Sequence, residues 1–162
     1  MNKSIKGQQG GFTLIELIVV IVILGILAAT ALPRFAALGG EARLSSLNAA
    51  RGALSATSAM THGRFLMARA ATIPVEGVNV NMNLASGYPA ITTTGEARAL
   101  ADAAGLTAAD YTITAGSGLI TISPAKLDAA AQATCKLTYN EAKTAGTRNV
   151  APVVQLVTTD CE

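Results

Sequence analysis

The stretch that decides the fold is GGFTLIELIVVIVILGILAATALPRF, which runs from Gly10 to Phe35. From Phe12 to Leu32 it holds 21 residues, among which Glu16 is the only formally charged side chain. A helix of that length rises about 31 Å, which matches the hydrocarbon thickness of a bilayer. The stretch therefore predicts a membrane-spanning helix that carries one carboxylate inside its apolar run.

Glu16 is the sharpest polar feature of the chain. An acidic side chain inside a span costs about 2.5 to 3.5 kcal/mol on insertion scales, so it indicates a function and calls for a partner. The alternative is that Glu16 lies near the cytoplasmic interface and stays hydrated. A cut between Gly11 and Phe12 would create an α-amino cation four residues, or one helical turn, from this carboxylate. The two charges are complementary within one molecule and between neighbouring molecules, and before such a cut Glu16 has no evident partner.

The residues before the apolar run predict the orientation of the chain. Lys3 and Lys6 favour a cytoplasmic N-terminus, which sends the rest of the chain across the membrane. The run is longer than the roughly 7 to 15 apolar residues of a secretory signal, and no A-x-A-like site precedes a clear domain start. We therefore expect the span to be retained.

Composition and charge indicate one small domain beyond the span and give little sign of a charged partner. The chain has 162 residues, of which 51% are hydrophobic and 14% charged. Without Lys3 and Lys6, ten basic residues remain against ten acidic ones. One region carries five arginines without interleaved aromatics: Arg34, Arg43, Arg51, Arg64 and Arg69. This pattern favours a solvated or inter-subunit face over a nucleic-acid site.

The helix is expected to continue beyond the span. Pro33 removes one backbone hydrogen bond and predicts a kink. The following segment has high helix propensity to about Ala71, with four large apolar residues near one face: Leu44, Leu47, Leu54 and Phe65. Pro74 favours extended backbone at Ile73 and so predicts that the helix has ended.

The remaining segments predict short strands and one further helix. Strands are expected at VNVNMNL, where Val78, Val80, Met82 and Leu84 alternate, at TCKLTY and at PVVQLVTTDC. YTITAGSGLITIS predicts a hairpin about an Ala115–Gly118 turn. TTGEARALADAAG predicts a helix with a capping box of Thr93 and Glu96 and with Gly105 at its end. The segment 123–132 is ambiguous, although Ser123 and Pro124 resemble a helix start.

No catalytic or metal-binding motif stands out. The chain lacks a phosphate-cradling glycine loop, a G-x-S-x-G and paired metal ligands, and His62 is its only histidine. We expect His62 to be an exposed or packing residue, and we expect neither enzymatic activity nor a cofactor or metal.

Cys135 and Cys161 are the only two cysteines. An exported domain meets oxidising conditions, which favours a disulfide between them over two free buried thiols.

The segment KGQQGGFTLIELIVVIVILGILAATALPRF resembles the N-terminus of type IV pilins. The resemblance lies in a short basic leader ending in glycine, then Phe12, then Glu16 within an apolar helix. It implies that a prepilin peptidase cuts after Gly11 and N-methylates Phe12, and that Glu16 contacts the Phe12 amine of an adjacent subunit. It also implies that Gly25 and Pro33 bracket a helix-kink stretch that can lose helix in a filament.

The later segments SGYPA, TCKLTYNEA and APVV, with the final Cys161, are similar to pilins of the mannose-sensitive haemagglutinin type. The resemblance implies that Cys135 and Cys161 close a C-terminal surface loop. It implies an α+β fold in which a long N-terminal helix, half transmembrane and half amphipathic, packs on a small antiparallel β-sheet head. The expected parts are a cleaved leader (1–11), a filament-core helix (12–32), its amphipathic continuation (33–72) and a globular head (73–162).

The implied function is that of the major structural subunit of a type IV pilus. The expected partners are further copies in a helical homopolymer, prepilin peptidase, and the inner-membrane assembly platform with its ATPase. The subunit would reside in the inner membrane before assembly and then in an extracellular filament for adhesion or motility. A pseudopilin of a type II secretion system, a DNA-uptake pilus subunit and a membrane-anchored enzyme or binding protein remain alternatives.

Overall fold

The computed structural model describes residues 11–145, 148–159 and 161. Of the predicted leader, only Gly11 falls inside this range. The chain divides into two compact units, Met1–Leu38 and Gly39–Glu162.

The first element is the helix α1, Leu14–Ala68, which includes Pro33. The helix ends close to the predicted boundary because Arg69 adopts a left-handed backbone with φ +47°, while its N–H still donates to the carbonyl of Phe65. The bend predicted at Gly25 and Pro33 stays a prediction.

The part of α1 in the first unit is long and apolar enough to cross a membrane. Its most apolar window has a mean hydropathy of 2.8 and none of its residues is buried. An apolar helix with no protein packed around it is typical of a segment whose surroundings are lipid or other helices.

The second unit contains the remaining elements. The helices are α2 (Thr94–Ala103) and α3 (Ala129–Thr134). The strands are β1 (Thr72–Val75), β2 (Val78–Asn81), β3 (Tyr111–Gly116), β4 (Leu119–Pro124), β5 (Cys135–Asn140), β6 (Lys143–Ala145), β7 (Arg148–Val150) and β8 (Val153–Thr158). An antiparallel sheet has the order β3-β4-β5-β8, and β1-β2 and β6-β7 form two-stranded antiparallel sheets. The predicted α+β fold, a long helix packed against small antiparallel sheets, is confirmed.

The core of the second unit includes buried side chains of α1 and of the four-stranded sheet β3-β4-β5-β8. Leu47, Leu54 and Phe65 are buried, as their spacing predicted, but Leu44 is 38% exposed and lies off this face. The hydroxyl groups of Ser58 and Tyr139 form a hydrogen bond between α1 and β5. Burial raises the pKa of Tyr139 to about 12.

The capping box predicted at the start of α2 is present, as are the glycines predicted at the end of α2 and in the turn of the β3–β4 hairpin. The side chain of Thr93 accepts from the N–H of Glu96, and the Glu96 carboxylate accepts from the N–H of Thr93, which confirms the capping box. Gly105 and Gly118 have φ values of +75° and +73°, the left-handed geometry that glycine adopts without strain.

The strand predicted at VNVNMNL is shorter than expected. β2 ends at Asn81, and Leu84 is 61% exposed because the side-chain oxygen of Asn83 accepts from the N–H groups of Ala85 and Ser86 and turns the chain.

The structure also assigns the segment 123–132, which the sequence left ambiguous. Ser123 and Pro124 end β4 and do not start a helix; Asp128 caps α3 instead, by accepting from the N–H of Ala131.

Candidate functional site: the start of the N-terminal helix

The candidate site is formed by three residues at the start of α1. Phe12 precedes the helix and is 94% exposed. Glu16 lies in the first turn, and Thr13 stands at the position before the helix begins. All three belong to the mature chain if the predicted cut falls after Gly11.

Thr13 and Glu16 form a capping box. The N–H and the hydroxyl of Thr13 donate to Oε2 of Glu16 over 2.8 and 2.7 Å, and the N–H of Glu16 donates back to the Thr13 hydroxyl over 3.3 Å. The pattern T-x-x-E is a recognised signature of such a box. Sequence reasoning missed it here because the apolar run was interpreted only as a membrane span.

This box changes the interpretation of Glu16 as a charge without a partner. Both donated bonds end on Oε2, and Oε1 accepts no hydrogen bond from the residues that the structure describes. The N–H of Thr13 is a peptide group whether or not the chain is cut before Phe12. Glu16 can therefore cap its own helix through one oxygen and present the other to a cation.

The helix dipole gives this arrangement an electrostatic reason. The N-terminal end of a helix carries about half a positive charge, which favours a carboxylate there and disfavours a cation. A free amine on Phe12 would add a positive charge at this end. Glu16 is the acidic residue in the first turn and the group placed to offset it.

Gly25 and Pro33 both lie inside α1 and are exposed. A Cβ atom added at Gly25 would meet no atom within 4 Å. The structure does not bring these two residues to the Phe12–Glu16 site, and their role as a helix-kink pair stays a prediction.

The second group of predicted site residues lies in the head. Cys135 and Cys161 form a disulfide with a Cα–Cα distance of 4.9 Å, as predicted. The bridge joins the start of β5 to the segment after β8, so the chain between the two cysteines contains β6 and β7. Arg43 of α1 donates through Nη1 to the carbonyl of Cys161 over 2.8 Å. The sequence did not predict this hydrogen bond between α1 and the disulfide-bonded Cys161.

His62 has a packing role. Its ring stacks on Tyr88 with centroids 3.9 Å apart, and its Nδ1 lies 2.7 Å from the carbonyl oxygen of Gly87. Among the residues that the structure describes, no group of three or more potential ligands could hold a metal ion.

Comparison with known families gives one match. Residues 6–32 match the family model of the prokaryotic N-terminal methylation motif. No curated protein and no solved structure matches the chain significantly.

The matched motif is the type IV prepilin signal, and it covers the predicted cut at Gly11 and Phe12 together with Glu16. With the α+β pilin-like architecture of the chain, it supports a type IV pilin-like protein, a class that includes pseudopilins. The motif implies processing by prepilin peptidase and pilus assembly, and the apolar helix fits membrane anchoring before assembly. The likeness to the mannose-sensitive haemagglutinin subgroup stays a prediction.

Proposed function

We propose that this chain is the major structural subunit of a type IV pilus, which polymerises through its N-terminal helix into an extracellular filament for adhesion or motility. The observation that carries the proposal is the motif-bearing start of α1, where Phe12 is exposed and Glu16 keeps Oε1 available. A disulfide-closed head suits a subunit that works outside the cell.

Assembly transfers the apolar part of α1 from lipid into a bundle of identical helices. Because lipid and bundle are both apolar, burial alone gives little net drive, and close packing must contribute. A charge left unpaired in such a bundle is costly, so a Glu16 that meets the Phe12 amine of the next subunit fixes the register of assembly. An incoming subunit in the wrong register would leave both charges unpaired.

The proposed partners follow from these steps. Prepilin peptidase cuts after Gly11 and methylates Phe12, and an inner-membrane platform with its ATPase extracts the subunit from the membrane. We further propose that the chain has no catalytic activity, needs no cofactor and does not use nucleic acid as its partner.

A pseudopilin of a type II secretion system is the principal alternative, and a DNA-uptake pilus subunit is another. Both would use the same N-terminal motif. The closed loop between Cys135 and Cys161 favours the surface pilus, because such loops in the pilin family often face outward on the filament. Long surface filaments in electron micrographs, lost when the gene is deleted, would distinguish a pilus from a short periplasmic pseudopilus.

Three variants of Glu16 test the mechanism. Glu16→Ala removes the charge and the acceptor, Glu16→Gln keeps an oxygen acceptor for Thr13 without the charge, and Glu16→Asp keeps the charge on a shorter side chain. We expect Ala and Gln to leave processed subunits in the membrane with surface filaments reduced at least tenfold, and Asp to retain more assembly than either. Normal filament yield from Glu16→Gln would contradict the ion pair.

A further inference from the structure

One cleft of the head combines charged groups with small apolar side chains. It has a volume of about 530 Å³, and its walls come from α1, from the segment between α2 and β3, and from the segment after β4. Of the residues that the structure describes, the charged ones in its lining are Arg43, Asp110 and Lys126. Ligand pockets commonly have about 300 to 1,000 Å³, so this cleft has room for a small molecule. We call it the Arg43 cleft.

Hydrogen bonds between the walls fix the shape of the Arg43 cleft. The hydroxyl groups of Ser46 in α1 and Tyr111 in β3 lie 2.6 Å apart. The N–H of Ala125, after β4, donates to the carbonyl of Asp110 over 2.9 Å. A site that is already formed loses little conformational entropy when a ligand binds, which favours binding.

The two cations in the lining come from different walls. Arg43 is half-buried, and its Nη1 donates to the carbonyl of Cys161 over 2.8 Å, which holds the guanidinium in place. Nε and Nη2 of Arg43 make no hydrogen bond to the residues that the structure describes. Lys126 lies after β4 and is exposed. Because a guanidinium can donate two parallel hydrogen bonds to a carboxylate, this pair of cations suits an anion.

Asp110 restricts the kind of anion that fits. Its Oδ2 accepts from the hydroxyl of Thr107 over 2.9 Å, whereas Oδ1 accepts no hydrogen bond from the described part of the chain. A carboxylate can only accept hydrogen bonds, so it attracts hydroxyl groups and repels a second negative charge. Two cations and one carboxylate leave the lining with a net charge of +1. The cleft therefore suits a monoanion that also carries hydroxyl groups.

The remaining walls are apolar and small. Ala49 and Ala53 of α1 line the cleft on one side, and Leu106 and Ala109 line it on another. Such a surface accommodates the C–H groups of a ring, while the few polar groups fix its orientation.

We propose that the Arg43 cleft binds an acidic sugar, a uronic acid whose carboxylate lies against Arg43 and Lys126 and whose hydroxyl groups donate to Asp110. A neutral sugar would leave the two cations without an anion. A phosphate dianion would bring a second negative charge close to Asp110 and would leave the apolar walls without a partner.

Binding of one sugar by one head does not depend on polymerisation, but its use in adhesion rests on the proposed function. A filament would present one Arg43 cleft for each copy of the chain. Because many sites then meet a polysaccharide with many acidic units, weak binding at each site is multiplied.

Titration calorimetry on the full-length chain in a nonionic detergent tests the site. The probe is methyl galacturonoside, and the matched probes are methyl galactoside, which has the same ring without the carboxylate, and inorganic phosphate. We expect a dissociation constant of about 1 mM for the galacturonoside, as is usual for so small a ligand, and at least tenfold weaker binding of the other two. Equal binding of the galactoside, tighter binding of phosphate, or a galacturonoside constant above about 20 mM would overturn the proposal.

Two matched lysine variants locate the binding. Lys126→Gln removes a cation from the lining, and Lys143→Gln removes an exposed cation of β6 that does not line the cleft. We expect the first to weaken galacturonoside binding at least fivefold and the second to leave it within twofold. Ala53→Leu, which fills the cleft without changing its charge, should weaken binding at least fivefold as well. Equal effects of the two lysine variants would assign the binding to general surface charge and overturn the site.

Sheared filaments then test the use of the site in adhesion. We expect immobilised polygalacturonate to retain wild-type filaments at least tenfold better than Lys126→Gln filaments, and better than its methyl-esterified form does. Filaments that are not retained, although the single chain binds the galacturonoside, would overturn the role in adhesion. A chain that forms no filaments would contradict the proposed function, whereas the calorimetry decides the sugar site in either case.

Discussion

The hydroxyl of Thr13 lies 2.7 Å from Oε2 of Glu16 at the start of a helix whose first part is apolar enough to cross a membrane. The acidic residue of the methylation motif is thus part of its own helix cap before any second subunit arrives. A carboxylate held in one rotamer loses less entropy when it meets a cation than a mobile one does. The cap and the proposed assembly contact are therefore compatible uses of one side chain.

The cap predicts that removal of the Thr13 hydroxyl loosens the first turn. Thr13→Val should cost about 1 kcal/mol of local helix stability, and Thr13→Ser should cost little because serine is an equally good cap. Amide hydrogen exchange of Glu16 in detergent-solubilised protein measures this, with about fivefold faster exchange expected for the valine variant alone. Equal rates in both variants would show that the box does not hold the helix end.

We expect the disulfide to contribute a large share of the free energy of unfolding of the head. Replacing Cys135 and Cys161, which are 26 residues apart, by serine should lower the free energy of unfolding by about 3.5 kcal/mol in the chain-entropy model. Denaturant unfolding of the full chain in detergent measures the change. A loss below about 1 kcal/mol would mean that the other contacts of the loop, such as Arg43 with the Cys161 carbonyl, already fix it.

Two glycines on facing segments should respond oppositely to alanine. Gly87 has φ +73°, and an added Cβ atom would lie 2.8 Å from a ring carbon of Phe65, so Gly87→Ala should cost about 2 to 4 kcal/mol. Gly63 lies within α1 in open space, so Gly63→Ala should gain about 0.5 to 1 kcal/mol. Unfolding curves of the two variants test the contrast, and a harmless Gly87→Ala would contradict the tight packing of Gly87 against Phe65.

The lowered pKa of Glu96 predicts that the free energy of unfolding decreases in acid. Burial raises the pKa of its carboxyl, but hydrogen bonds from Thr92, Asn81 and Thr93 outweigh this and lower the pKa from 4.5. A carboxyl with a lower pKa in the folded state stabilises the fold above its unfolded pKa, and this is lost as the pH falls through the folded value. The free energy of unfolding should therefore fall below about pH 4.5, and less steeply in Glu96→Gln. Identical profiles for the two proteins would rule out this carboxyl as a source of the acid sensitivity.

Local signals made much of the fold predictable. Thr93 with Glu96, Gly105 and the glycine at the hairpin turn each specify backbone geometry from side-chain chemistry alone. The two cysteines allowed only one pairing.

The misses have physical reasons as well. Leu84 continued an alternating pattern, but the turn formed by the Asn83 side chain ended the strand first. The contacts of His62 with Tyr88 and of Arg43 with Cys161 join residues 26 and 118 positions apart, and no local pattern encodes them. The T-x-x-E pattern at Thr13 predicts a helix cap, but the apolar run around it was interpreted only as a membrane span.

The proposed assembly depends on a cut before Phe12, which would create the cation that Glu16 meets in a filament. Mass analysis of the N-terminal peptide from sheared surface material tests this most directly. We predict a peptide that begins at N-methylated Phe12. A peptide that retains Met1 would contradict the proposed processing and the pilus function that depends on it.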